Sequence, residues 1–141
     1  MATTISTWKH GIEATRESIR ILKDNGTALD SVETGVRVTE SDPNVRTVGY
    51  GGYTDDTGQV TVDASIMDHN GNAGSVAYLK NIRHPVSVAR KIMESSRHVM
   101  LVGEGAYDFA VKNGFKHESL LTEESARDWN EWKKNKDPKE I

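Results

Sequence analysis

Thr47 to Gly52, "TVGYGG", sets a hydroxyl beside three glycines, and the first chemistry it suggests is a cradle of backbone amides for a phosphate. Gly49 and Gly51 form a G-x-G. Thr54, however, stands where a dinucleotide fingerprint needs its third glycine, and a strand-like pattern follows where a helix is required. The stretch therefore reads as a glycine-rich strand or bulge in which missing side chains let another backbone come close. A second pair, Gly103 and Gly105 in "HVMLVGEGAYDFAVKNG", has a better context, because an apolar strand runs into a helix start that could receive an anion. Here too the third position fails, being Asp108, and Glu104 would repel a phosphate. No strand follows to carry a ribose-binding acid about 20 residues on. A tight strand-to-helix turn is the ordinary account, with a nucleotide-binding module as its alternative.

The remaining chemical groups are weighed in the same way. Asp68 opens "DHNGN", which starts like a calcium loop, but Ala73 and Leu79 occupy the positions that need glycine and glutamate, so a reverse turn is expected. His10, His69, His84, His98 and His117 never fall in a ligand pair such as H-x-x-x-H, and with no cysteine present no metal site is expected. Asp63 and Asp68 have an odd separation on one expected strand, which sends their side chains to opposite faces and rules out a simple acid/base pair. Asp63 is expected to be buried and to tie down neighbouring backbone. No G-x-S-x-G elbow marks a nucleophilic serine. Trp129 and Trp132, near Leu120 and Leu121, read as packing residues, within the chain or against a partner.

The elements that must position these groups follow from period and punctuation. Ile12, Thr15, Ile19 and Leu22 recur at helical spacing over residues 8–23, stopping at "DNG". Thr27 with Asp30 makes a capping box for a second helix on which Leu29, Val32 and Val36 share a face, ended by Asp42-Pro43. The period then alternates through "VGYGGY", "QVTVDASIMD" and "AGSVAYLK", predicting a meander of three strands. A helix opening at Pro85, a buried strand in "HVMLVG", a helix closed by Gly114 and a last helix capped by Thr122 complete the order. Helices at both ends of a largely antiparallel sheet predict an α+β layered fold, with residues 1–141 as a single domain. The polar "NKDPKEI" completes no element and reads as a loop cut short.

Bulk properties agree with a chain that leaves surface for a partner. The apolar fraction is 35%, the charged fraction 28% and the mean hydropathy -0.61, wetter than an ordinary domain of 141 residues. A net charge of -3 steers it toward neither nucleic acid nor anionic membrane. No apolar run reaches the roughly 20 residues that span a bilayer. "MATTISTWKHG" lacks the pattern of a signal peptide. A soluble chain is expected, periplasmic or lysosomal in type if a leader has been removed and cytoplasmic otherwise.

Taken in order, "STW", "GTALDSVETGVRVTESDP", "TVGYGG", "GQVTVDASIMD", "AGSVAYLKNIRHPVSVARKIME" and "HVMLVGEGAYDFAVKNGF" closely resemble the N-terminal, or α, portion of the glycosylasparaginases, from about Ser6 to about Trp132. "ISTWKHG" stands where plant-type asparaginases and isoaspartyl peptidases begin with a "HGGAG"-like segment, which favours the glycosylasparaginase branch. The resemblance implies the αββα four-layer sandwich of N-terminal-nucleophile hydrolases, made as a precursor that cuts itself before a threonine. That threonine, at the start of a β chain, would be the nucleophile, with its own α-amine as base, and an (αβ)2 assembly is implied. No cofactor is. With no "HDTIG"-like cleavage block and Ala2 behind Met1, the chain itself carries no such nucleophile and reads as the α subunit.

By the same resemblance, Trp8 helps hold the glycosylated asparagine substrate and the Thr47 hydroxyl lies near the nucleophile's amine. Gly49, Gly51 and Gly52 would let the strand bearing Thr47 approach the β chain. The substrate's aspartyl carboxylate and amine would be held mainly by the β chain. His10 occupies a position where relatives often carry an aromatic residue. The implied reaction cleaves the amide between N-acetylglucosamine and the asparagine side chain, releasing aspartate. An isoaspartyl peptidase or L-asparaginase is the alternative within the family, and a non-catalytic interaction module the alternative outside it.

Overall fold

Two helices form where their punctuation puts them. In the computed structural model, which describes residues 2–136, α1 spans Gly11–Lys23 and α2 spans Ala28–Ser41. At the start of α2 the Thr27 hydroxyl accepts the Asp30 N–H at 3.1 Å and the Asp30 carboxylate accepts the Thr27 N–H at 3.0 Å, satisfying donors that a helix start leaves free. α1 ends with Asn25 in the left-handed region, φ 62°. Its beginning departs from expectation: Trp8 stands outside the helix at φ 67°.

The two helices meet through small residues. Ser18 Oγ donates to the Ser31 carbonyl at 2.9 Å and Ser31 Oγ to the Ser18 carbonyl at 3.0 Å. The larger residues that set the helical period point away from this contact. Ile12, Ile19, Val32 and Val36 are 40–55% exposed, so the chain itself does not cover them.

β1 (Thr61–Met67) and β2 (Ala73–Lys80) form an antiparallel hairpin, Thr61 opposite Lys80 and Met67 opposite Ala73. The expected reverse turn closes it, the Asp68 N–H donating to Asn72 O at 2.9 Å and the Asp68 carboxylate accepting the Asn70 and Asn72 N–H groups. A bulge between Val62 and Ala64 interrupts the register. After β2 the chain forms α3 (Pro85–Ser95), with Pro85 in the first turn, and returns as the short strand β3 (Met100–Val102), paired parallel to β2. α4 (Gly103–Lys112) and α5 (Glu123–Asn135) follow, the latter capped by the Thr122 hydroxyl as expected. The sheet order is β1-β2-β3.

Three strand expectations are corrected. Residues 48–53 form no strand, with bends and turns over 48–51, because Gly49 (φ 64°) and Gly51 (φ 77°) both leave extended backbone. The third strand of the sheet is β3, so the arrangement is a hairpin with a parallel addition instead of an antiparallel meander. "HVMLVG" is also not sealed: Met100 and Val102 are exposed and only Leu101 turns toward the core. The mixed α and β architecture itself is present. The "NKDPKEI" expectation falls mostly outside the described residues.

The core lies on one face of the sheet, between it and α3 with α4. Val76, Leu79, Val88, Ile92, Ala106 and Ala110 are each at most 1% exposed. Backbones touch there: a Cβ on Gly74 would stand 2.0 Å from the Ala89 carbonyl oxygen and 2.7 Å from Met93 N. The opposite face, with Asp63, Ser65, Met67, Met100 and Val102, is bare in this chain.

Candidate active site

A cleft of about 660 Å³ lies between the segment before α1, the C-terminal half of α2, the turn at Thr47, the bare face of β1 and the start of α3. Trp8 and Thr47, far apart in sequence, both line it. Trp8 is 82% exposed, and its ring is nearly parallel to that of His10, 19° between planes at 6.5 Å. A bulky residue with positive φ carries a backbone cost of roughly 1–3 kcal/mol, which fits a side chain held out for a purpose. The Gly11 N–H donates to the Trp8 carbonyl at 3.1 Å and fixes this presentation against the helix start.

Thr47 is exposed on a turn that is tied down from both sides. The Tyr50 N–H donates to the Glu40 carbonyl at 2.8 Å, and the Gly51 N–H to Leu120 O at 2.8 Å. The Gly51 carbonyl accepts Arg46 Nε at 2.7 Å and Ser125 Oγ at 2.8 Å, linking the turn to α5. Arg46 also pairs with Asp128 at 2.8 Å and Glu124 at 3.1 Å.

Within this chain the three glycines lie close against its own backbone. A Cβ on Gly49 would meet the Glu40 carbonyl oxygen at 2.2 Å, one on Gly51 would meet Pro43 Cα at 3.2 Å, and one on Gly52 the Gly49 carbonyl at 3.1 Å. Of the three only Gly49 lines the cleft; Gly51 and Gly52 lie buried behind it.

Asp63 lines the cleft and is exposed, not buried as expected, since it projects from the bulge on the bare face. Its backbone-tying role is nevertheless present: Oδ1 accepts the Tyr78 N–H at 2.7 Å and holds Tyr78 at φ 51°.

Sequence reasoning missed Glu40. It lines the same cleft at 3% exposure, its carboxylate meeting His84 Nδ1 at 3.1 Å and accepting the Val86 N–H at 2.9 Å. Loss of hydration pushes this carboxyl above its ordinary range, while the bonds from His84 and Val86 and the charge of Arg37 pull against that. The available signal was spacing, for Glu40 follows Val36 by one helical repeat of four and so falls on the side of α2 that lines the cleft.

Chemically, the cleft offers an aromatic plate, several hydroxyls and the carboxylates of Glu40 and Asp63. Among the described residues none of its hydroxyls is hydrogen-bonded to a histidine, and the Ser6–Thr15 pair at 2.8 Å joins two hydroxyls. Among the described residues no group of three His, Asp or Glu side chains converges as a metal site would.

Elsewhere, Gly103 at φ 57° makes the expected strand-to-helix turn, and Glu104 lines a separate cleft of about 480 Å³ with Tyr78, Lys80, Tyr107 and His117. Trp129 packs over Gly58 and donates Nε1 to Asp56 O at 3.3 Å, whereas Trp132 is half-exposed.

Comparisons with known proteins bear on what such a cleft does. A family model described as asparaginase matches residues 4–141. The N(4)-(beta-N-acetylglucosaminyl)-L-asparaginase of Elizabethkingia miricola is 53% identical over 137 residues, covering 97% of this chain and 40% of that protein. The Rattus norvegicus protein of the same name is 39% identical over 129 residues, covering 91% and 37%. The plant-type L-asparaginase of Thermococcus kodakarensis is 41% identical over 128 residues, covering 87% and 41%. The chain thus spans about 40% of the length of the curated relatives it matches.

Proposed function

Since this chain belongs to the asparaginase family, in the group of its glycosylasparaginases, we propose that it is the α portion of an amidohydrolase cleaving the amide between N-acetylglucosamine and the asparagine side chain. The carrying observation is that Trp8 and Thr47, far apart in sequence, face one cleft. In this reading a β chain of the same precursor supplies an N-terminal threonine to the cleft. Its hydroxyl oxygen attacks the amide carbonyl carbon while its α-amine takes the proton, which then passes to the departing glycosylamine. Water hydrolyses the acyl-threonine ester and releases aspartate. The Thr47 hydroxyl orients the α-amine by hydrogen bonding, and the Trp8 indole presents an apolar plate to the substrate.

The bare sheet face and the exposed Ile12, Val32 and Val36 support a partner that covers them, completing a four-layer sandwich and an (αβ)2 assembly. Identity of 41% to a plant-type L-asparaginase supports a second reading, hydrolysis of asparagine or isoaspartyl dipeptides by the same machinery.

Full-length protein assayed on glycosylasparagine, asparagine and a β-aspartyl dipeptide decides between them. Preference for the first, with mass spectrometry finding a second chain that begins with threonine, is the expected result. Preference for the other two substrates selects the second reading, and no turnover of any of them overturns both.

A further inference from the structure

We propose that Glu40 is the positioning residue of the cleft: its buried carboxylate, held between His84 and the Val86 N–H, fixes the end of α2 on which the Thr47 turn is seated. The inference rests on the reading of this cleft as half of an active site.

Three segments converge on this one residue. Its side chain ties α2 to the loop before α3 through His84 and to the first turn of α3 through Val86 N. That second bond satisfies a helix-start donor and sets a negative charge where the helix dipole favours it. Its main chain carries the turn: the Glu40 carbonyl accepts the Tyr50 N–H at 2.8 Å, and Gly49 is pressed so close that its Cβ would overlap that carbonyl at 2.2 Å. Two residues before Gly49, Thr47 is placed by this seat and by the Arg46 anchorage on α5. A displacement of the α2 end is therefore a displacement of the Thr47 hydroxyl.

A carboxylate is a costly way to join two helices. Burying it means losing hydration that only good partners recover, and a well-packed apolar contact would join α2 to α3 more cheaply. Its ionisable neighbours are Arg37 on its own helix and His84 across from it, and His84 in turn lies near Glu118. The carboxylate thus sits within a short chain of polar, hydrogen-bonding groups instead of an apolar joint. Such a group defines one geometry, since it must meet the Val86 N–H and the imidazole together, whereas an apolar joint tolerates sliding.

Glu40→Gln in the full-length protein tests this, because the amide can still accept from Val86 N but presents a donor where His84 met an oxygen. The expected result is a melting temperature close to the parent's, faster amide hydrogen exchange across residues 47–52 with the core of α4 unchanged, and kcat lowered on the order of 10–100-fold at nearly constant KM. Unchanged kcat in an active enzyme overturns the proposal even if exchange rises, since Glu40 is then only structural. Unchanged exchange overturns it whether or not the parent turns over any amide, so failure of the functional reading, seen as an inactive parent, remains distinct. Should Glu40→Gln not fold, His84→Gln carries the same two readouts, and no change in either sinks the idea.

Discussion

The two halves of this molecule are finished to different degrees. Around α3 and α4 the chain seals its own apolar surface, down to Val88, Ile92, Ala106 and Ala110 with no exposure at all. Around α1, α2 and the bare face of the sheet, Ile12, Val36, Met67, Met100 and Val102 stand open. A modest apolar content is thus no sign of a thin core. The core is dense, and the deficit is concentrated on the side that holds the cleft. The largest effect that would break this contrast is expected at Gly74. Gly74→Val drives a side chain into the Ala89 carbonyl and the Met93 backbone, where nothing flexible can yield, and is expected to cost more than about 4 kcal/mol and abolish soluble expression. A soluble Gly74→Val protein melting near its parent would mean that the sealed half is far looser than its contacts.

Next in size is Ile92→Ala. A fully buried isoleucine lost from a tight cluster is expected to cost about 2–5 kcal/mol, read by urea unfolding of the full-length protein. Val102→Ser sharpens the contrast from the other side. Val102 is 56% exposed in this chain, which by itself predicts a change within about 0.5 kcal/mol. If the rest of the protein covers this face, the substitution buries a hydroxyl in place of a methyl pair, and a loss of about 1–3 kcal/mol is expected. A neutral result would show that the bare sheet face stays bare.

The same contrast explains what could be read from residues alone. Capping boxes, terminators and turn chemistry act over a few residues, so Thr27, Asn25, Asp68 and Thr122 were legible where they stand. The alternation at residues 48–53 misled because period says nothing of φ, and Gly49 and Gly51 spend their freedom on a turn seated against Glu40 and Pro43. Burial was legible only where the chain covers itself. "HVMLVG" has the composition of a sealed strand, and Val32 and Val36 that of a core-facing stripe, yet Val99, Met100, Val102, Val32 and Val36 stand uncovered within this chain. Trp8 and Thr47 entered through family resemblance and not through any local pattern, and the cleft joins them by tertiary contact. Glu40 was hidden because a polar residue near a helix end ordinarily faces water.

The smallest effect expected is one of pH, and it separates Asp30 from Glu40, carboxylates near opposite ends of α2. Asp30 belongs to the firmly bonded side: the Thr27 hydroxyl first, then the Arg90 guanidinium, hold its carboxyl down at about 2. Because that lies below its ordinary 3.8, the unfolded chain binds the proton more readily, and the stabilisation is present above 3.8 and lost as pH falls toward 2. Half-exposure and salt keep the contribution small. Glu40, in the cleft, is shifted the other way by lost hydration, against the opposing pull of His84 and Arg37. Between its ordinary 4.5 and its raised native value the folded state binds the extra proton, so stability falls as pH rises through that window and is level above it. Urea unfolding from about pH 3 to about pH 7 should therefore give difference curves of opposite sign. Asp30→Asn loses stability relative to the parent as pH rises, while Glu40→Gln gains it. Curves that run parallel would show that the carboxylate beneath the Thr47 turn is solvated like any surface acid, and that the open half carries no burden of its own.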